Sequence, residues 1–290
     1  MNSNACKTTS LAAVQIAACL GFLVVQLDVS VVNVGLGALK IAFDTNLTGL
    51  QWVINSYALA FSALLILGGA TGDKFGAITV FASGFALFTV ASIGCGLSNS
   101  MSMLICMRVI QGVGAALLVP TSLTLIRLAF DDPGRRRTAV ATWGACGGIA
   151  LAGGPVIGGL LIEWLGWRSV FLLNVPIGIL AIGLIVRYAQ SSPRIDKKVD
   201  VPGQISIGIC LASMTYALTE SSSQGWATET VSTMAVAVLC AIAFVLTERR
   251  ASNPMLPPRL ARNTTLATTA LAGAAINLTF YGTVPVWHRD

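Results

Sequence analysis

The chain has 290 residues, 55% of them hydrophobic and 10% charged, with a mean hydropathy of +0.78. Soluble domains carry about 25% charged residues, so this composition excludes a soluble globular protein and implies an integral membrane one. The net charge of +6 does not announce a nucleic-acid partner, because the basic residues are distributed by membrane side rather than gathered in one patch.

Seven cysteines are scattered, mostly inside apolar runs, with no CxxC pair or metal spacing, and the one histidine is His288. They read as small buried hydrophobes. No metal, cofactor or enzymatic site is expected, since no nucleophile–base or ligand constellation is present.

Nine apolar segments are long enough to cross about 30 Å of hydrocarbon. They are predicted at 11–34, 50–69, 78–97, 102–123, 138–161, 169–188, 203–220, 230–247 and 264–286. All should be helices, because a spanning backbone must satisfy its own hydrogen bonds. With the N-terminus cytoplasmic, fourteen Lys and Arg fall in the inner segments. Only Lys40, Arg168 and Arg289 fall in the outer ones, and Arg108 lies within a span. That asymmetry predicts a multi-pass cell-membrane protein with its N-terminus inside. Lys7 and the following apolar run could be taken for a signal peptide. The apolar run continues through 20–25, however, so cleavage is not expected.

The first span carries QLDVSVVNV, with Asp28 its only charge, roughly 8 Å from the outer end of the helix. Asp28 reads either as an interfacial capping residue or as a titratable carboxylate that a substrate or a conformational change can switch. Between the second and third spans lies GGATGDKFG, in which Gly69, Gly72 and Gly76 surround Asp73 and Lys74. These residues predict a tight cytoplasmic reversal.

The fourth span, LICMRVIQGVGAALLVP, places Arg108 about six residues, or ~9 Å, inside the apolar run. That is deep for an arginine snorkelling to the headgroups, so Arg108 needs an intramembrane partner. Asp28 lies at matched depth. Gln111 follows on the same face, and Gly112 and Gly114 open a path for a neighbouring helix.

In the fifth span Cys146, Ala150, Gly154 and Gly158 recur every fourth residue, beside Pro155 and Gly159. This face serves either a tight helix contact or a substrate path, and it is expected to receive a helix of a second half. WRSVFLLNVPIG then enters the sixth span with Arg168 and Asn174.

The charged segment beginning SSPRIDKK marks a boundary. The expected organisation is a six-helix half over 1–190 and a linker over 191–202. Two further helices follow over 203–247, then a linker over 248–263 and one more helix over 264–290.

These motifs together resemble the major facilitator superfamily, specifically its fourteen-helix drug:proton antiporter branch. The carriers are LDVSVVNV, GGATGDKFG, LICMRVIQGVGAA, GGPVIGG and WRSVFLLNVPIG. The resemblance implies an all-α membrane fold with a six-helix N-terminal bundle, two extra helices and the first helix of an incomplete C-terminal half. It implies that Asp28 and Arg108 serve proton coupling, that Gly69, Asp73, Lys74 and Gly76 form a gating loop, and that Gln111 and Gly112 belong to the fourth-helix motif. Ala150, Gly154, Pro155, Gly158 and Gly159 stand for the fifth-helix antiporter motif.

The sequence departs from the pattern where a basic pair usually closes the loop motif and Ala77 and Ile78 stand instead. The implied function is proton-coupled efflux of small amphipathic or cationic organic compounds, with protons and the lipid bilayer as partners and no nucleic acid. The alternative is a non-transporting membrane protein. Such a protein would be a truncated form that inserts without transporting, and would self-associate or pair with a complementing C-terminal half.

Overall fold

The computed structural model describes residues 3–189, 201–224 and 227–250, with scattered positions between 264 and 275. Nine helices account for nearly all of the described residues: α1 (Ser3–Phe43), α2 (Leu47–Phe75), α3 (Ala77–Gly96), α4 (Met101–Ala129), α5 (Pro133–Leu165), α6 (Ser169–Leu172), α7 (Asn174–Tyr188), α8 (Val201–Gln224) and α9 (Thr228–Arg250). Seven membrane-length apolar helices occur among the described residues, with α6 and α7 together making one span, Ser169–Tyr188. The predicted seventh span is helical as α8. Most of the predicted ninth span and of both linkers lies outside the described residues.

Local chemistry sets the helix ends. Asn46 caps α2 by accepting from the Gly49 N–H at 3.0 Å. Ser100 caps α4 through Met103 at 3.2 Å, and Asp132 caps α5 through Arg135 at 2.7 Å. Each satisfies a donor that the first helical turn would otherwise strand. Between α2 and α3 the connection is one residue, Gly76, at φ +95°, where a side chain would be strained.

The first span runs nine residues beyond its predicted end at 34. Leu39 is buried in a cluster with Leu50, Val53, Trp167 and Phe171, and Phe43 packs against Trp167. Packing of that extension outweighs the weak helix propensity of Gly35 and Gly37.

Two helix groups meet at the centre. α4 packs along α2 and α3, α1 packs along α5 and α7, and α1 crosses α4. α8 leans on α2 and pairs with α9. Close approach of α2 and α4 depends on Gly112, where a Cβ would lie 2.5 Å from the Tyr57 carbonyl oxygen. Outward faces carry Ile149, Val156, Trp164, Ile179 and Val186, all exposed, as suits a surface solvated by lipid.

The small-residue face of α5 corrects one expectation. It is already occupied: Gly154 abuts Ser30, Gly158 abuts Val31, and the Ser30 hydroxyl donates to the Leu151 carbonyl at 2.8 Å. The face therefore receives α1 of the same bundle, not a helix of a second half. A four-residue spacing of small side chains tells that a helix comes close without telling which one.

Candidate functional site

Where α1 crosses α4, the bundle encloses a buried polar cluster. Asp28 and Arg108 are each 1% exposed, and Arg108 is the largest fully buried side chain. The Arg108 Nη1 donates to Asp28 Oδ2 at 2.5 Å and to Gln111 Oε1 at 2.8 Å. Its Nε donates to the Val53 carbonyl of α2 at 3.1 Å, and the guanidinium carbon sits 4.2 Å from the centroid of the Tyr57 ring. Burial of a lone charge is costly, and an opposite charge with further hydrogen bonds is what makes it tolerable.

The other carboxylate oxygen is equally engaged. Asp28 Oδ1 accepts from Gln111 Nε2 at 2.8 Å and from Asn174 Nδ2 at 3.0 Å. Both amides also donate to Ser92 Oγ, at 2.8 and 3.2 Å, and Ser92 in turn donates to the Phe88 carbonyl. Donors from α4 and α7 thus meet on one carboxylate, and α2 and α3 close the cluster through Val53, Tyr57 and Ser92. A single added proton would remove the counter-charge of Arg108, whose side chain is buried.

Arg108 also borders a cavity of about 540 Å³ between α1, α2 and α8. Val25, Val29, Val32, Ile54 and Phe61 make it largely apolar, and Gln26, Asn33, Asn55, Ser62 and Thr215 join Arg108 as its polar points. Asp28 does not line it. This combination of an apolar hollow with a few polar handles is the ordinary form of a small-molecule site.

The predicted residues separate into three places. Asp28, Arg108 and Gln111 are together in the cluster, with Gly112 one residue along α4. Gly69, Asp73, Lys74 and Gly76 lie at the far end of α2, about 30 Å along the helix from Val53. There Gly69 packs near Pro120, and the exposed Lys74 lies over the Phe75 ring at 5.5 Å. Ala150, Gly154 and Gly158 serve the α1–α5 contact, whereas Pro155 is exposed and Gly159 is half-buried with no neighbour within 4 Å of where its Cβ would be. Ser92, Tyr57 and Asn174 were not predicted as site residues. Asn174 had a readable signal, being the one amide in an otherwise apolar entry to the sixth span.

Residues 18–289 match the Major Facilitator Superfamily. The chain is 37% identical to a methylenomycin A resistance protein of Bacillus subtilis, over 93% of this chain and 58% of that protein. It is 36% identical to the multidrug resistance protein Stp of Mycobacterium tuberculosis, over 92% of this chain and 49% of that protein. It thus spans about half the length of the curated relatives it matches. Among solved structures, a peptide transporter, POT, crystallised with sulfate superposes with a TM-score of 0.61 at 13% identity, covering 83% of this chain and 52% of that one. That likeness shows the fold.

Proposed function

The chain belongs to the Major Facilitator Superfamily, and we propose that it acts in proton-coupled efflux of small amphipathic organic compounds. Asp28 is the proton-carrying group and Arg108 its counter-charge. The observation that carries this reading is the placement of a buried, hydrogen-bonded ion pair directly against an apolar cavity. With Asp28 ionised the cluster is neutral and closed. With Asp28 protonated, Arg108 is left uncompensated inside the bundle, so the two protonation states favour different helix arrangements. In an alternating-access cycle, the bundle described here is one of two halves that rock around the substrate. The loop at Asp73 and Lys74, on the other end of α2, serves as the gate.

The test is transport into everted membrane vesicles containing the chain, alone and co-expressed with the remaining half of a relative. A pH gradient should drive accumulation of a fluorescent amphipathic probe, and Asp28→Asn should abolish it while Asp28→Glu retains part. Equal accumulation with Asp28→Asn would make Asp28 structural, and no accumulation in either arrangement would overturn efflux.

We further propose a cytoplasmic N-terminus, supported by the fourteen-to-three distribution of basic residues. With native cysteines replaced, Ser222→Cys should react with an impermeant thiol reagent in intact cells, and Ser192→Cys and Ser252→Cys should not. The reverse pattern would invert the topology.

A further inference from the structure

The contact between α1 and α5 brings two thiols together, away from the polar cluster. Gln15, Cys19 and Phe22 follow one another at helical spacing and share one face of α1. Gln15 Nε2 donates to the Ala139 carbonyl of α5 at 3.0 Å. The Phe22 ring stacks on Trp143 with centroids 3.9 Å apart and covers Gly147. Cys19 lies between these two contacts, so it faces the stretch of α5 between Ala139 and Gly147. There it meets Cys146, with the two thiols within hydrogen-bonding reach. Gln15 Nε2 also donates to Cys19 Sγ at 3.3 Å, which uses that sulfur as an acceptor and leaves its S–H for Cys146.

The two sulfurs differ in access. Cys19 is buried, whereas Cys146 is half-buried at the rim of the contact. Gly147 and Ala150 are buried on one flank of Cys146, and Thr142, Ala145 and Ile149 are exposed on the other. A reagent dissolved in lipid therefore reaches Cys146 along the face that carries Ile149, and finds Cys19 behind it. Each cysteine stands about eight residues, or ~12 Å, inside its span. At that depth an adduct that carries a net charge is costly, so the site suits reagents that leave none. Cys95 instead bonds Gln111 at 3.7 Å, and Cys106 is exposed. Cys210 of α8 and Cys240 of α9 interact electrostatically and are the rival pair.

We propose that Cys19 and Cys146 form a dithiol site for neutral, lipid-soluble trivalent organoarsenicals, and that the bridged adduct staples α1 to α5. With an arsenoxide, both S–H bonds break and two As–S bonds form on one arsenic, while the two protons leave with its oxygen as water. Arsenic stays trivalent, so the step needs no oxidant, and the product is neutral. The proposal does not depend on the efflux reading. Thiols that only fill a close helix contact as small apolar side chains would form no bridge.

Phenylarsine oxide tests this on the full chain in phosphatidylcholine nanodiscs. Cys6, Cys106, Cys210 and Cys240 are replaced by Ala, which leaves Cys95 as the one further thiol. Intact-mass spectrometry should show one adduct per chain that 2,3-dimercaptopropanol removes and 2-mercaptoethanol removes poorly, because two linked bonds must be displaced together. In Cys19→Ala or Cys146→Ala the 2-mercaptoethanol concentration that strips half of the adduct should fall about 100-fold, and Cys95→Ala should leave it unchanged. Cys146 is partly exposed, so Cys146→Ala serves if Cys19→Ala does not fold. The adduct should also raise the thermal midpoint, since it closes a long loop in the unfolded chain, and the midpoint of Cys146→Ala should not respond. No adduct, one that the monothiol strips as readily as the dithiol, or one whose resistance survives Cys146→Ala would overturn the site. A resistant adduct that leaves the midpoint unmoved would overturn the staple.

Discussion

Arg108 separates two polar regions built on opposite principles. On its Asp28 side both carboxylate oxygens are engaged by donors from α4 and α7, at 2.5 to 3.0 Å, and both charges are 1% exposed. On its cavity side the amides of Gln26 and Asn33 have no partner among the described residues. A net charge is tolerated in a membrane bundle where an opposite charge and further hydrogen bonds engage it. A ligand, by contrast, can be recognised only where some capacity is left over. The two regions use the same side-chain type, the carboxamide, for these opposite ends, so substitutions of amides test the distinction directly.

The largest effect is expected from breaking the pair. Arg108→Ala leaves Asp28 buried without a counter-charge and should cost about 3–5 kcal/mol, read as a large fall in thermal midpoint in detergent or as loss of monodisperse protein. The double change Asp28→Leu with Arg108→Met should recover much of that stability while abolishing gradient-driven transport. If the double variant is as unstable as Arg108→Ala, the cost comes from lost packing and not from the unpaired charge.

Next in size is removal of one amide from the closed side. Asn174→Leu takes a hydrogen bond from an ionised acceptor, and should destabilise by about 1.5–3 kcal/mol, measured in the same thermal assay. The smallest effect comes from the matching change on the open side. Asn33→Leu should alter stability by no more than about 0.5 kcal/mol while changing which ligands the cavity holds. Equal destabilisation by Asn174→Leu and Asn33→Leu would erase the contrast between the regions.

Much of the closed side could be read before any coordinates. Counting helical rise put Asp28 and Arg108 at one depth on antiparallel spans, and the i+3 spacing put Gln111 beside them. What could not be read was which other helices reach that depth facing inward. Ser92 and Tyr57 sit in apolar runs where single hydroxyls are common and carry no mark of their role. The Val53 carbonyl that accepts from Arg108 is main chain, and no side-chain pattern announces it. The open side was nearly illegible, because a cavity is defined by what three helices leave unfilled. The same limit explains α5. Its small-residue rows predicted a close helix contact, and only the packing against Ser30 and Val31 shows that α1 fills it.

The single-residue joint at Gly76 bears on how the chain is made. Ribosomes deliver a membrane protein from one end, and spans separated by long linkers can leave the insertion channel one at a time. α2 and α3 have no such slack. Phe75 closes one helix and Ala77 opens the next, so the two emerge as a ready-made hairpin whose partners cannot drift apart in the lipid. A hairpin delivered whole presents both of its inner faces at once to α4, the next span to be synthesised and the one that packs along each. Assembly order is thereby written into a joint one residue long: α4 meets two helices tethered to each other, and Arg108 reaches an Asp28 already waiting in α1, before Asn174 of α7 completes the cluster.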